Sequence, residues 1–199
     1  MGPTVLVLGL TLFLGPHVLA TMRPQRAAVV KQLGEWPYKG LFAALSIAGL
    51  YVTAKGFGMV DTAGALALWT APDWTKSIAD ALMLPACIFF VAAYLPGRIK
   101  LALKHPMLVG VATWAVAHLL VSGDVGGIIL FGSVLAWAIY DRITLKHRSD
   151  PGGPPIPQGG WRNDIAAAIV GIILYLALGF AFHPLVLGRP VFGAFAFGT

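Results

Sequence analysis

Six long apolar runs, divided by short basic connections, constrain this chain more than any other feature. They can be drawn at Pro3–Thr21, Lys39–Met59, Ile78–Leu95, Pro106–Val121, Val125–Ile143 and Asp164–Leu187. A helix crossing the hydrocarbon core needs about 20 mostly apolar residues, and only the fourth run falls well short. Backbone polar groups in lipid must be satisfied within the spanning structure itself, which selects helices over open strands. The charge content agrees: charged residues make up 11% of the chain, against roughly 25% in a soluble domain. The expectation is an all-α integral membrane protein, a single domain over residues 1–199 with a bundle of about six transmembrane helices.

The bases fix an expected orientation. Arg23, Arg26, Lys31 and Lys39 fall in the first connection, Arg98, Lys100 and Lys104 in the third, and Arg142, Lys146, Arg148 and Arg162 in the fifth. Lys55, Lys76 and Arg189 alone fall on the other side, which also carries Asp61, Asp73, Asp80 and Asp124. Cytoplasmic loops concentrate Lys and Arg, so both termini are expected outside, with a bacterial inner membrane as the natural setting. This distribution explains the net charge of +6 without nucleic acid as a partner; the partner it implies is the bilayer. No base precedes Arg23, so the first run reads as a retained helix and not as a secretory signal. The single cysteine, Cys87, excludes an internal disulfide and a cysteine-based metal cluster. Its apolar neighbours Ile88 and Phe89 suggest a buried, inert thiol.

Three connections have readable character. Pro24 to Glu35 forms a short interfacial helix, with Val29, Val30 and Leu33 on one side. Thr62 to Trp74 is an outer loop with Trp69 and Trp74 as interfacial anchors. Ser149 to Gly160, rich in proline and glycine, is a flexible linker. Small residues four apart, Ala44/Ala48 and Ala167/Gly171, would allow close helix contact.

Three histidines lie in or at the ends of the apolar runs: His17, His118 and His183. Ionisable groups in membrane segments are costly and usually face a bundle interior or a cofactor. The plain alternative is a neutral imidazole bonded to a backbone carbonyl. His105 and His147 fall in basic connections and read as solvated. Neutral imidazole suits haem iron as well as zinc, copper or nickel. The usual zinc signatures are absent, whereas haem needs only one or two axial imidazoles in an apolar pocket. Trp114, one turn before His118, and Phe89, Phe90, Phe131 and Trp137 could line such a pocket. On these boundaries His17 and His118 differ in depth by on the order of 15 Å, while His118 and His183 lie at similar depth. A proton or ion relay would want carboxylates at depth, but Asp80, Asp141 and Asp164 sit at helix ends, and Asp164 suits a cap on its own helix.

Several segments together resemble the NnrU family of bacterial membrane proteins. They are Leu14-Gly-Pro-His17, Leu33-Gly-Glu-Trp-Pro-Tyr-Lys-Gly-Leu41, Pro96-Gly-Arg-Ile-Lys100, Lys104-His-Pro-Met107, Trp114-x-x-Ala-His118 and His183-Pro-Leu-Val-Leu-Gly188. The resemblance implies a link to nitrite and nitric oxide reduction in denitrification. The family is also related to the plant zeta-carotene isomerase, a haem-b membrane enzyme, which implies a b-type haem here with His17 and His118 at the matching positions and His105 in the shared His-Pro motif. The isomerase carries a cysteine three residues before its second histidine, where this chain has Ala115. Three functional readings follow. The first is a haem protein linked to nitrogen oxides, bound through His118 with His17 or His183 as second ligand. The second is a haem-dependent cis–trans isomerase acting on a carotenoid or other polyene. The third is a cofactor-free transport or assembly factor.

Overall fold

The computed structural model describes residues 1–199 except 63, 65, 148–158 and 193–199. The described chain is helical: α1 Gly2–Thr21, α2 Arg23–Leu33, α3 Glu35–Thr62, α4 Asp73–Ala92, α5 Arg98–Leu103, α6 Pro106–Val121, α7 Val125–His147, α8 Trp161–Ala177 and α9 His183–Val186, with a π-helical turn Leu178–Phe182 joining the last two. Among the described residues, five apolar helices are long enough to cross a membrane: α1, α3, α4, α7 and the stretch from α8 through α9. The protein is therefore an all-α, multi-pass membrane protein. Helix α6, the short fourth run, has 16 residues and rises about 24 Å, less than the roughly 30 Å hydrocarbon core. Of the linker Ser149–Gly160, only Gly159 and Gly160 are among the described residues.

The helices fall into two compact units. One holds Met1–Ala79, the end of α6 from Ala115 and α7; the other holds Asp80–Trp114 and the chain from α8 onward. In the first unit α1 and α3 run antiparallel with their backbones in contact. A Cβ added at Gly2 would meet Val60, at Gly9 Thr53, at Gly49 Phe13 and at Gly56 Leu6. The facing pairs 2/60, 6/56, 9/53 and 13/49 share one register, since their numbers have a common sum. Close approach of this kind is how helices associate in lipid, where apolar surface alone gives no preference for protein over solvent. Ala44 and Ala48 lie exposed, so glycines one face over make the contact.

The connections in this unit follow from local chemistry. Gly34, at φ +89, turns α2 back into α3 through a conformation that favours glycine. Helix α2 has no buried residue. The connection between α3 and α4 pairs with the turn before α7: Leu68 and Trp69 donate to the Gly123 carbonyl, and Val125 donates to the Leu66 carbonyl. Trp69 and Trp74 are both exposed, where interfacial anchors belong.

In the second unit, Ala167 and Gly171 of α8 are buried, and a Cβ at Gly171 would come 2.7 Å from the Ile88 α-carbon of α4. Cys87, beside that crossing in sequence, is fully buried. Helix α4 continues through Pro85, and α1 through Pro16.

Asp164 does not cap its own helix. Its carboxylate accepts from the backbone N–H groups of Arg98 at 3.1 Å and Ile99 at 3.0 Å, so it caps α5. Asn163 adds a bond from Nδ2 to the Pro96 carbonyl at 2.6 Å. Helix α8 begins at Trp161, earlier than the apolar run suggests, with Gly160 as its N-cap. Asp164 is thus already inside the helix and its side chain reaches the neighbouring segment. Asp164→Ala is expected to cost about 0.5–2 kcal/mol, the range for a lost N-cap. Thermal unfolding in detergent would show a lower midpoint, and Asp164→Asn should recover most of it.

Candidate functional site

The first unit holds two of the three membrane histidines, both against α7. His17 lies one turn after Phe13 on α1, and residues four apart share a helix face. Its Nδ1 is 2.6 Å from the Phe13 carbonyl. A carbonyl only accepts, so Nδ1 carries a hydrogen, and in the neutral ring Nε2 presents the lone pair. This is the arrangement in which a backbone carbonyl orients a ligating imidazole. The ring is enclosed by Phe13 at 4.6 Å, Phe42 of α3 at 4.9 Å and Trp137 of α7 at 5.2 Å, the last edge-on.

One turn beyond, Thr21 ties the end of α1 to α7. Its hydroxyl is 3.0 Å from the His17 carbonyl and 3.0 Å from an Asp141 carboxylate oxygen. Thr21 is buried, and this link holds the His17 turn against α7. Four buried polar atoms in this unit have no hydrogen-bond partner among the described residues: Trp137 Nε1, Tyr38 Oη, Ser46 Oγ and Thr53 Oγ1. An unsatisfied buried donor costs about 1–3 kcal/mol. Two of these four, Trp137 and Tyr38, belong to the aromatic set around His17, because Tyr38 stands 6.5 Å from Phe42.

His118 sits near the end of α6 and stacks on Phe131 of α7 at 4.6 Å. Phe57 of α3 meets the same Phe131 edge-on at 6.3 Å. Of the aromatics expected around His118, Phe131 is in place, whereas Trp137 serves His17. Phe90 belongs to the second unit, packed against Gly110. Phe131 and Trp137 are six residues apart on α7, which is about 9 Å along the helix and 120° around it. The α7 ring partners of the two imidazoles are therefore offset by about 9 Å along that helix. They stand on different flanks of α7, and His118 is not a ring partner of His17.

His183 belongs to the second unit. Its Nδ1 is 2.8 Å from the Leu178 carbonyl, five residues back, so it serves a carbonyl of the π turn. Turns of this type often mark functional positions in helices, but Leu185 and Val186 beside it are exposed. His105 donates its backbone N–H to the Leu103 carbonyl, just after Lys104, whose φ of 61 is the one positive value among described non-glycine residues.

Among the described residues no group of three or more His, Cys, Asp or Glu side chains could hold a bare metal ion. A haem differs in this respect, since it supplies its own equatorial nitrogens and asks the protein for one or two axial imidazoles. The oriented His17 ring, its aromatic enclosure and the unpartnered Trp137 indole N–H fit such a group.

The helices and these histidines define a multi-pass membrane protein with imidazoles held at depth. The family model described as NnrU protein matches residues 5–191. The chain belongs to the NnrU family. No curated protein and no solved structure matches it.

Proposed function

We propose that this NnrU-family protein binds a b-type haem in the membrane and works in nitrite or nitric oxide reduction. His118 and His17 are the axial candidates, and His183 is the third. The observation that carries the reading is His17, whose Nδ1 is bonded to the Phe13 carbonyl at 2.6 Å inside a ring of Phe13, Phe42 and Trp137. Carbonyl bonding at Nδ1 fixes the tautomer and keeps Nε2 basic. The Thr21–Asp141 bond keeps the turn carrying His17 in register with α7. Phe131, stacked on His118, limits the rotation of that ring. When bound, the haem would supply one-electron chemistry or a site for a small nitrogen oxide. The surrounding aromatics would exclude water from the site.

The polyene isomerase reading is weaker at one position. Ala115 is fully buried one turn before His118, so no thiol stands where the related isomerase has one.

The test is the visible spectrum of full-length protein purified in mild detergent after expression with added haem precursor. A Soret band at near one haem per chain is expected. Protein that is folded by circular dichroism but shows no band would overturn the haem reading and favour a cofactor-free factor.

A further inference from the structure

The glycine contact between α1 and α3 ends at the Phe13/Gly49 pair. Beyond it, toward α2, the helices part and leave a groove of about 240 Å³. Gly15, Pro16 and Leu19 line one wall, and Tyr38, Phe42 and Leu45 line the other. The volume is below the roughly 300–1,000 Å³ of pockets that enclose drug-sized ligands, so the groove is too small for a porphyrin. Its apolar lining suits a single hydrocarbon chain.

The mouth of the groove is basic. Arg26 of α2 lies over the Tyr38 ring, its guanidinium carbon 5.2 Å from the ring centre. Between residues 23 and 39 stand Arg23, Arg26, Lys31 and Lys39 against one carboxylate, Glu35. Arg26 and Lys39 both approach Glu35, at 3.7 Å and 3.2 Å, so a single anion faces two cations and an excess of positive charge remains. Helix α2 connects directly to both groove walls through Met22 and Gly34. Basic clusters at the membrane surface bind anionic head groups, each Lys or Arg contributing about 1 kcal/mol.

We infer that this groove is a specific site for an anionic phospholipid, with an acyl chain between α1 and α3 and the phosphate held at Arg26. The groove shares Tyr38 and Phe42 with the aromatic set around His17, and lipid retention tests this site by a readout separate from the visible spectrum. Its basic mouth and apolar floor match the two halves of one molecule, and the end of the glycine contact leaves room for the chain. Glu35 competes with the phosphate for Arg26, so the protein's own carboxylate sets how strongly the head group is held.

Full-length protein in mild detergent, equilibrated with equal amounts of dioleoyl phosphatidylglycerol and dioleoyl phosphatidylcholine, tests this by native mass spectrometry. One phosphatidylglycerol per chain should be retained with roughly tenfold preference, the ratio for about 1.4 kcal/mol. Arg26→Gln should remove the preference, and Glu35→Gln should increase it. Leu41 also lines the groove and is half exposed, so Leu41→Trp should block the chain without disturbing the core; Leu45→Phe is a second plug. Lys146→Gln, on α7, should change nothing. Equal retention of the two lipids, or full retention with both plugs in place, would overturn the site. Loss of preference with Lys146→Gln equal to that with Arg26→Gln would overturn it too, because bulk positive charge would then suffice.

Discussion

Gly49→Ala is expected to lower the stability of the protein by about 3 kcal/mol, the upper end for overpacking a tight contact. The atoms that the new methyl would meet are backbone atoms of Leu12 and Phe13. No rotamer change can move them, so α1 and α3 must separate. Separation at one point of a shared register weakens the neighbouring contacts at Gly9 and Gly56 as well. In lipid, nothing but packing and polar contacts holds such a pair together. At roughly 2–4 °C per kcal/mol for a chain of this length, the unfolding midpoint in detergent should fall by about 10 °C. Gly132→Ala is the matched control, because a Cβ at Gly132 meets nothing within 4 Å. In that position alanine should be neutral or slightly stabilising, since it favours the helix. Equal midpoints for the two variants would remove the glycine contact as the organising feature of this unit.

The helices were legible because lipid leaves the backbone little choice. The stretch Pro24–Glu35 contains helix α2, Arg23–Leu33, and Trp69 and Trp74 of the α3–α4 connection are exposed. Helix ends were less legible. Helix α3 starts at Glu35, four residues before its apolar run, because the interface tolerates a polar first turn. The sixth run contains a π turn at Leu178–Phe182, which no periodicity announces. Among small residues, Ala167/Gly171 makes a contact and Ala44/Ala48 does not, since a stripe becomes a seam only when a neighbour covers it.

The site was legible in its residue types and not in its grouping. Phe13 and His17 are four apart, so their shared face was readable from spacing. Phe42 and Trp137 come from other helices, and the Thr21–Asp141 bond spans 120 residues. A chain read one segment at a time carries no signal for such a link. Asp164 shows the same limit: a carboxylate near a helix start reads as that helix's cap, but its partner is α5.

Replacing His118 or His17 by alanine is expected to reduce haem retention at least tenfold, whereas His183→Ala should leave it unchanged. A tenfold loss corresponds to about 1.4 kcal/mol, modest for an axial ligand. His17 and His118 both pack on α7, through Trp137 and Phe131, in one compact unit. His183 answers the carbonyl of Leu178 among exposed apolar residues, which is a structural duty sufficient to explain it. Trp137→Phe separates ligation from hydrogen bonding. It removes an indole N–H that has no partner among the described residues while keeping an aromatic ring near His17. If that N–H serves the bound group, Trp137→Phe should weaken retention several-fold without bleaching the band, and the unliganded protein should gain stability from losing an unsatisfied donor. Haem retained at wild-type occupancy by the His17→Ala, His118→Ala double variant would place the ligand elsewhere. Bleaching by His183→Ala alone would make the imidazole of the second unit the ligand, and the aromatic ring around His17 would then be core packing.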